Sequence, residues 1–126
     1  MHDIPLYFVY NYTDVDRAFW ETHLEAWLPQ RVTDAHVHIV DPALQVHPIT
    51  EEMRRTHWVM ELHEMQDAET AERCIHTVFP GREIDCVAFP YPTLDWDVEA
   101  ANEYIVREMR QRRWASLVLV RPQWSA

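Results

Sequence analysis

The stretch Arg31-Val32-Thr33-Asp34-Ala35-His36-Val37-His38-Ile39-Val40, RVTDAHVHIV, decides how the chain is read. It is rich in β-branched residues and lies between Pro29 and Asp41-Pro42, a pattern that predicts a strand over 31–40. Two of its positions hold imidazoles where valine or isoleucine would pack better. Side chains at i and i+2 of a strand leave the same face, about 6.5 to 7 Å apart along the chain. His36 and His38 can therefore converge on one ion, with Ala35 and Val37 turned to an opposite, helix-covered face. Neutral imidazole nitrogen suits zinc and similar borderline divalent metals.

Upstream, residues 13–28 (TDVDRAFWETHLEAWL) read as a helix capped by Thr13 or Asp14 and followed by Pro29. Val15, Phe19, Ala26 and Trp27 lie near one face and are expected to pack. Before it, the apolar and aromatic Ile4–Tyr12 reads as a short strand or a covering arm. Downstream, DPALQVHPIT is a proline-punctuated loop, and Thr50 can cap a helix reaching about Leu62. Residues 67–78 give a helix with Ala68, Ala71, Cys74 or Ile75, and Val78 on one stripe, stopped by Pro80-Gly81. EIDCVAFPYP is a second strand running into a proline-rich loop. Asp95 or Asp97 caps a helix to about Arg113, with Val98, Ala101, Ile105 and Met109 in periodic positions. WASLVLVRP reads as a last, continuously apolar strand.

Strands alternating with helices predict parallel β-α-β units, buried on both faces, with right-handed crossovers. His38, Pro90 and Pro122 then lie at or near the C-terminal strand ends, where parallel α/β folds bind ligands. Three such strands alone would leave hydrophobic edges open, which proteins normally avoid. The expectation is an incomplete α/β architecture, either part of a longer protein or completed by a second copy as a homo-oligomer.

Composition narrows the function classes. With 126 residues the chain has the size of one domain. Its 21 acidic against 11 basic residues give a net charge of −10, which disfavours nucleic acid as a partner. No apolar window has membrane-spanning length, and Met1-His2-Asp3 lacks a secretory n-region, so a cytoplasmic location is expected and no membrane partner. Cys74 and Cys86 form no CxxC pair and read as buried thiols. Gly81 is the only glycine, which argues against an all-β fold rich in tight hairpins. A cupin-like barrel, where HxH also binds metal, fits badly for that reason and lacks the following glutamate. No HExxH occurs, and His47, His57, His63 and His76 are weaker ligand candidates, His47 being the best placed of them. Glu61, Glu64, Asp95 and Asp97 read as solvated faces and caps.

DAHVHIVDP resembles the first-strand motif of the amidohydrolase superfamily, in particular the amidohydrolase-related group. HLEAWLPQRVTDAHVHIVDP is similar to that group's N-terminal helix running into its first strand. ETAERCIHTVFPGREIDCVAFPYPTLDWDVEAANEYI is similar to the stretch that continues into its second strand and following helix. Phosphoesterases of the polymerase-and-histidinol-phosphatase type and TatD-like nucleases carry similar first strands. The resemblance implies the N-terminal part of a metal-dependent (β/α)8 TIM barrel, incomplete as a barrel. Residues 1–30 would be an arm and helix, and 31–126 the first three β/α units. It implies His36 and His38 as metal ligands, Asp34 as an acid supporting them, and a divalent metal, zinc by donor type. The family's other ligands lie on the fifth, sixth and eighth strands, so no catalytic residue is assigned here. The implied chemistry is hydrolysis of an amide, ester or lactone, or a related decarboxylation, on a small-molecule carbonyl substrate. The alternative is a non-catalytic, self-associating α/β module with at most a weak metal site.

Overall fold

The computed structural model describes residues 12–56 and 66–124. The expected arm, the end of the helix after Thr50, and His57 and His63 fall outside the described residues. In chain order the elements are α1 (Asp14–Phe19), a π-helical turn (Trp20–Leu24), β1 (Arg31–His38) and a 3-10 turn (Pro42–Leu44). There follow α2 (Glu51–Thr56), α3 (Ala68–Val78), β2 (Glu83–Phe89), α4 (Val98–Arg112) and β3 (Ala115–Ser116). The strands form one parallel sheet of order β1-β2-β3. The fold is thus α/β, an open sheet of three parallel strands with helices between them. Among the described residues no helix is long and apolar enough to cross a membrane.

The helix starts follow their sequence signals. The Asp67 carboxylate accepts from Thr70 N at 2.8 Å, the Asp97 carboxylate from Ala100 N at 3.1 Å, and Thr50 Oγ1 from Met53 N at 3.2 Å. Helix α4 ends with Arg113 in the left-handed region at φ 59°, and Trp114 N reaches back to Met109 O at 3.0 Å.

Helices α3 and α4 cover one face of the sheet. Val37 and Ile39, Ile84, Cys86 and Ala88 meet Ala68, Ala71 and Ile75 of α3 and Tyr104, Ile105 and Met109 of α4 in one core. Two polar ties fix the helices together. The Tyr104 hydroxyl accepts from Ala68 N at 3.0 Å, satisfying an otherwise unpaired donor at the start of α3. Arg112 donates to Glu72 at 2.9 Å and to Glu108 at 2.9 Å.

Three expectations are corrected. First, the sheet is not covered on both faces among the described residues. Ile84, Cys86 and Ala88 are buried, whereas Glu83, Asp85, Val87 and Phe89 between them are not, the alternation of a strand packed on one side. Second, the last apolar run pairs only over Ala115–Ser116, with Leu117 N adding a bond to Ala88 O at 2.9 Å. Beyond it the Asn102 side chain takes over, accepting from Leu119 N at 2.9 Å and donating to Leu119 O at 2.8 Å. A side chain of α4 thus replaces the neighbouring strand, so Pro122 stands in a turn well past the ladder. Third, Val15, Phe19, Ala26 and Trp27 are exposed rather than packed. The segment is anchored by Trp20, 4% exposed, edge-on to Phe79 and with the Arg82 guanidinium over its ring at 5.3 Å.

Candidate metal centre

The site begins with an irregularity in β1. Asp34 is paired with Cys86 and Val37 with Ala88, so two residues of β1, Ala35 and His36, stand against the single Val87. This is a β-bulge, one extra residue that shifts the phase of the strand. Before it, Val32 and Asp34 share a face with Ile84 and Cys86; after it, Val37 and Ile39 do. Ala35 is therefore exposed rather than helix-covered, and Asp34 stands on the face opposite to His38. The Asp34 carboxylate accepts from His36 N at 3.1 Å. This local bond offers the backbone an alternative to the ladder at the very residue that bulges.

The consequence is that His36 joins His38 on the uncovered face. Their rings are 5.0 Å apart between centroids, and the two Nε2 atoms approach to 3.2 Å. Two nitrogens held at 2.0–2.1 Å from one tetrahedral ion would be about 3.3 Å apart, close to this separation.

His38 is held from three sides. Its Nδ1 lies 3.3 Å from Pro90 O, its ring stacks on Tyr91 at 4.7 Å and 19°, and Phe89 meets it edge-on at 4.5 Å. A proton on Nδ1 donated to the Pro90 carbonyl leaves the Nε2 lone pair free, the tautomer a metal ligand needs. Burial lowers the His38 pKa, with the neighbouring His36 acting in the same sense and the Pro90 carbonyl opposing it. Burial likewise pushes the Tyr91 phenol up, so it stays protonated against the ring. His36 is exposed, with Phe89 edge-on to it at 4.8 Å.

The loops above the strand ends are joined. Gln45 and Trp96 form an isolated antiparallel bridge, Val46 N donates to Asp95 O at 2.7 Å, and Asp97 N donates to Leu44 O at 3.0 Å. Below this seam Val40, Trp96 and Ala101 pack with Leu44, Ile49 and Tyr91. The ring that stacks on His38 is thereby fixed by a second small core.

The residue set divides cleanly. His36 and His38 come together at the C-terminal end of β1; Asp34 acts on the backbone behind them. His47 and His76 are exposed elsewhere, and no third histidine, cysteine, aspartate or glutamate groups with the pair among the described residues. Sequence reasoning placed Pro90 at a strand end but missed Phe89 and Tyr91 and the contact of all three with His38. The signal was present, since in a parallel β-α-β pair FPYP at the end of β2 must lie beside HVH at the end of β1. Comparison with family models, with curated proteins and with solved structures returns no match for this chain.

Proposed function

We propose that the chain is the N-terminal part of an amidohydrolase-type, metal-dependent hydrolase built on a (β/α)8 barrel, and that it contributes two ligands, His36 and His38, to its divalent metal. The observation that carries this reading is the 3.2 Å approach of the two Nε2 atoms on the uncovered face, at the C-terminal end of a parallel strand. The motif DAHVHIVDP, in which they stand, adds the family resemblance.

A divalent ion held by His36 and His38, zinc by donor type, would supply a water of lowered pKa and polarise the carbonyl of an amide, ester or lactone. The roles of this chain's residues follow from their contacts. His38 presents Nε2 because Pro90 O occupies Nδ1, and Tyr91 with Phe89 prevents the ring from turning. Asp34 bonds the bulge that turns both imidazoles to the uncovered face. Phe89, edge-on to both rings, gives the floor of the site an apolar patch. The remaining ligands and the general base come from outside the described residues.

Metal content of the purified chain, measured after equilibration with zinc and removal of excess, tests the reading. The wild type retains zinc; His36→Ala and His38→Ala each retain markedly less. Equal content in all three would overturn the ligand assignment.

A further inference from the structure

The end of β1 is gripped on both flanks. Ile39 N donates to Phe89 O at 3.1 Å, toward β2. Backbone groups of successive strand residues point to alternate sides, so His38 and Val40 present theirs to the flank away from β2. Val40 is fully buried, and an N–H left unpaired there would be costly. One residue serves both groups. Val40 N donates to Gln66 O at 3.0 Å, and Gln66 Nε2 donates to His38 O at 3.2 Å. A carbonyl can only accept, so the carboxamide must present its nitrogen to His38. Gln66 thus holds the last residues of β1 as a neighbouring strand would.

Gln66 is itself firmly placed. It stands immediately before Asp67, the cap of α3, and so outside the helix, where its backbone can bond elsewhere. Asp67 accepts from Thr70 N on its carboxylate and from Ala71 N on its carbonyl, the latter at 2.9 Å. Ala68 N, one residue further on, is bonded to the Tyr104 hydroxyl of α4. Both helices therefore fix the residue that grips β1. Pro90, Phe89 and Tyr91 fix the rotation of the His38 ring, whereas Gln66 fixes the carbonyl of the same residue. His36 is exposed, and its amide is bonded to Asp34 within the bulge. Of the two imidazoles, His38 is the one whose direction depends on α3.

We propose that Gln66 is a positioning residue for His38: by holding that residue's carbonyl from the start of α3, it keeps Nδ1 within reach of Pro90 O and so keeps Nε2 free of a proton beside His36. The inference rests on the reading of His38 as a metal ligand for its purpose, and on the two Gln66 bonds for its mechanism. The 3.3 Å from Nδ1 to Pro90 O is already long for a hydrogen bond, so a small retreat of the strand end breaks it. A ring released from Pro90 also takes up the other tautomer, with the proton on Nε2 and no lone pair there for a metal.

Long-range proton–nitrogen correlation of the imidazole rings tests it in the full chain, above neutral pH and with no metal added. Wild-type His38 shows one tautomer, protonated on Nδ1. Gln66→Leu removes the side-chain donor at similar volume and keeps the bond from Val40 N, and its His38 shows both tautomers. Zinc affinity, from competition with a chromophoric chelator, falls in parallel by about 10- to 100-fold. Gln66→Glu, equal in shape and lacking the N–H, gives the same two results should the leucine variant fail to fold, with circular dichroism reporting the fold. A folded variant that loses stability in urea yet keeps His38 in the single Nδ1-protonated tautomer overturns the proposal, because Gln66 then supports the fold alone. A wild type whose His38 carries its proton on Nε2 overturns it as well. The tautomer is read without metal, so failure of this coupling is told apart from failure of the metal reading, which shows as a wild type that retains no zinc.

Discussion

At the scale of single residues, two backbone positions carry unusual weight. Arg113 adopts φ 59° at the end of α4, a conformation that penalises any side chain with a Cβ. The only glycine of the chain, Gly81, already serves the turn after α3 at φ 72°. Replacing Arg113 by Gly relieves the steric penalty but adds freedom to the unfolded chain, for a net gain of about 0.5–1 kcal/mol. Urea unfolding should show a higher midpoint at unchanged slope; a lower midpoint would mean that the side chain contributes a contact outweighing the strain. Asp34 acts in the opposite sense. Asp34→Ala removes the acceptor for His36 N and with it the local reason for the bulge. Zinc affinity should fall about 10- to 100-fold while both imidazoles remain, the size of effect usual when a ligand loses its support. Unchanged zinc affinity in Asp34→Ala would show that the ladder alone holds the bulge.

Between elements, the contacts that matter are few and specific. Tyr104→Phe keeps the ring in the core but leaves Ala68 N without its acceptor at the buried start of α3, a loss of about 1–2 kcal/mol. A urea midpoint equal to the wild type would mean water or a neighbouring group satisfies that amide. On the uncovered face, Arg31 binds Asp85 across β1 and β2 through Nε at 2.5 Å and Nη2 at 3.0 Å. This partner holds the Asp85 carboxyl below the usual carboxylate range. Because the folded pKa lies below the unfolded one, the stabilisation is complete above about pH 4 and is lost as pH falls through the folded value. The stability difference between wild type and Asp85→Asn should therefore be constant at neutral pH and shrink only in acid, and a difference that first appears in acid would reverse the sign of the coupling. These elements were partly legible in advance. Asp67, Asp97 and Thr50 announce their helices because a cap is a local interaction between residues three apart. The bulge was not legible, since DAHVH reads equally as a regular strand until Asp34 bonds the backbone. Nor was the short pairing of β3, because ladder length depends on which neighbour lies alongside, and Asn102, seventeen residues earlier in sequence, takes that place. The histidine pair was legible as a pair. Its setting among Phe89, Pro90 and Tyr91 required the parallel pairing of β1 with β2.

Considered as a whole molecule, the chain places its two thiols where they report on different extents of unfolding. Cys86 lies in the middle of β2, 1% exposed, and enters the core that joins the sheet to both helices. Burial, with the Asp34, Asp85 and Glu72 carboxylates adding to it, pushes its pKa up to about 12. Cys74 lies on α3 at 6% exposure, and burial raises its pKa as well, Arg73 opposing. A thiol reagent attacks the thiolate, so both groups are shielded twice, by access and by protonation. Among the described residues α3 itself meets the sheet by packing alone, its polar ties being to α4 and through Gln66 at its start, whereas β2 is paired on both sides by β1 and β3. Local opening of α3 should consequently expose Cys74 at a free energy below that of global unfolding, while Cys86 reacts only when the sheet separates. In native buffer the Cys86→Ala chain should label with a disulfide reagent faster than the Cys74→Ala chain. Low urea should accelerate only the Cys86→Ala reaction weakly, and the Cys74→Ala reaction steeply, with the slope of the whole transition. Equal rates and equal urea slopes in the two variants would mean that α3 and the sheet open as a single cooperative unit.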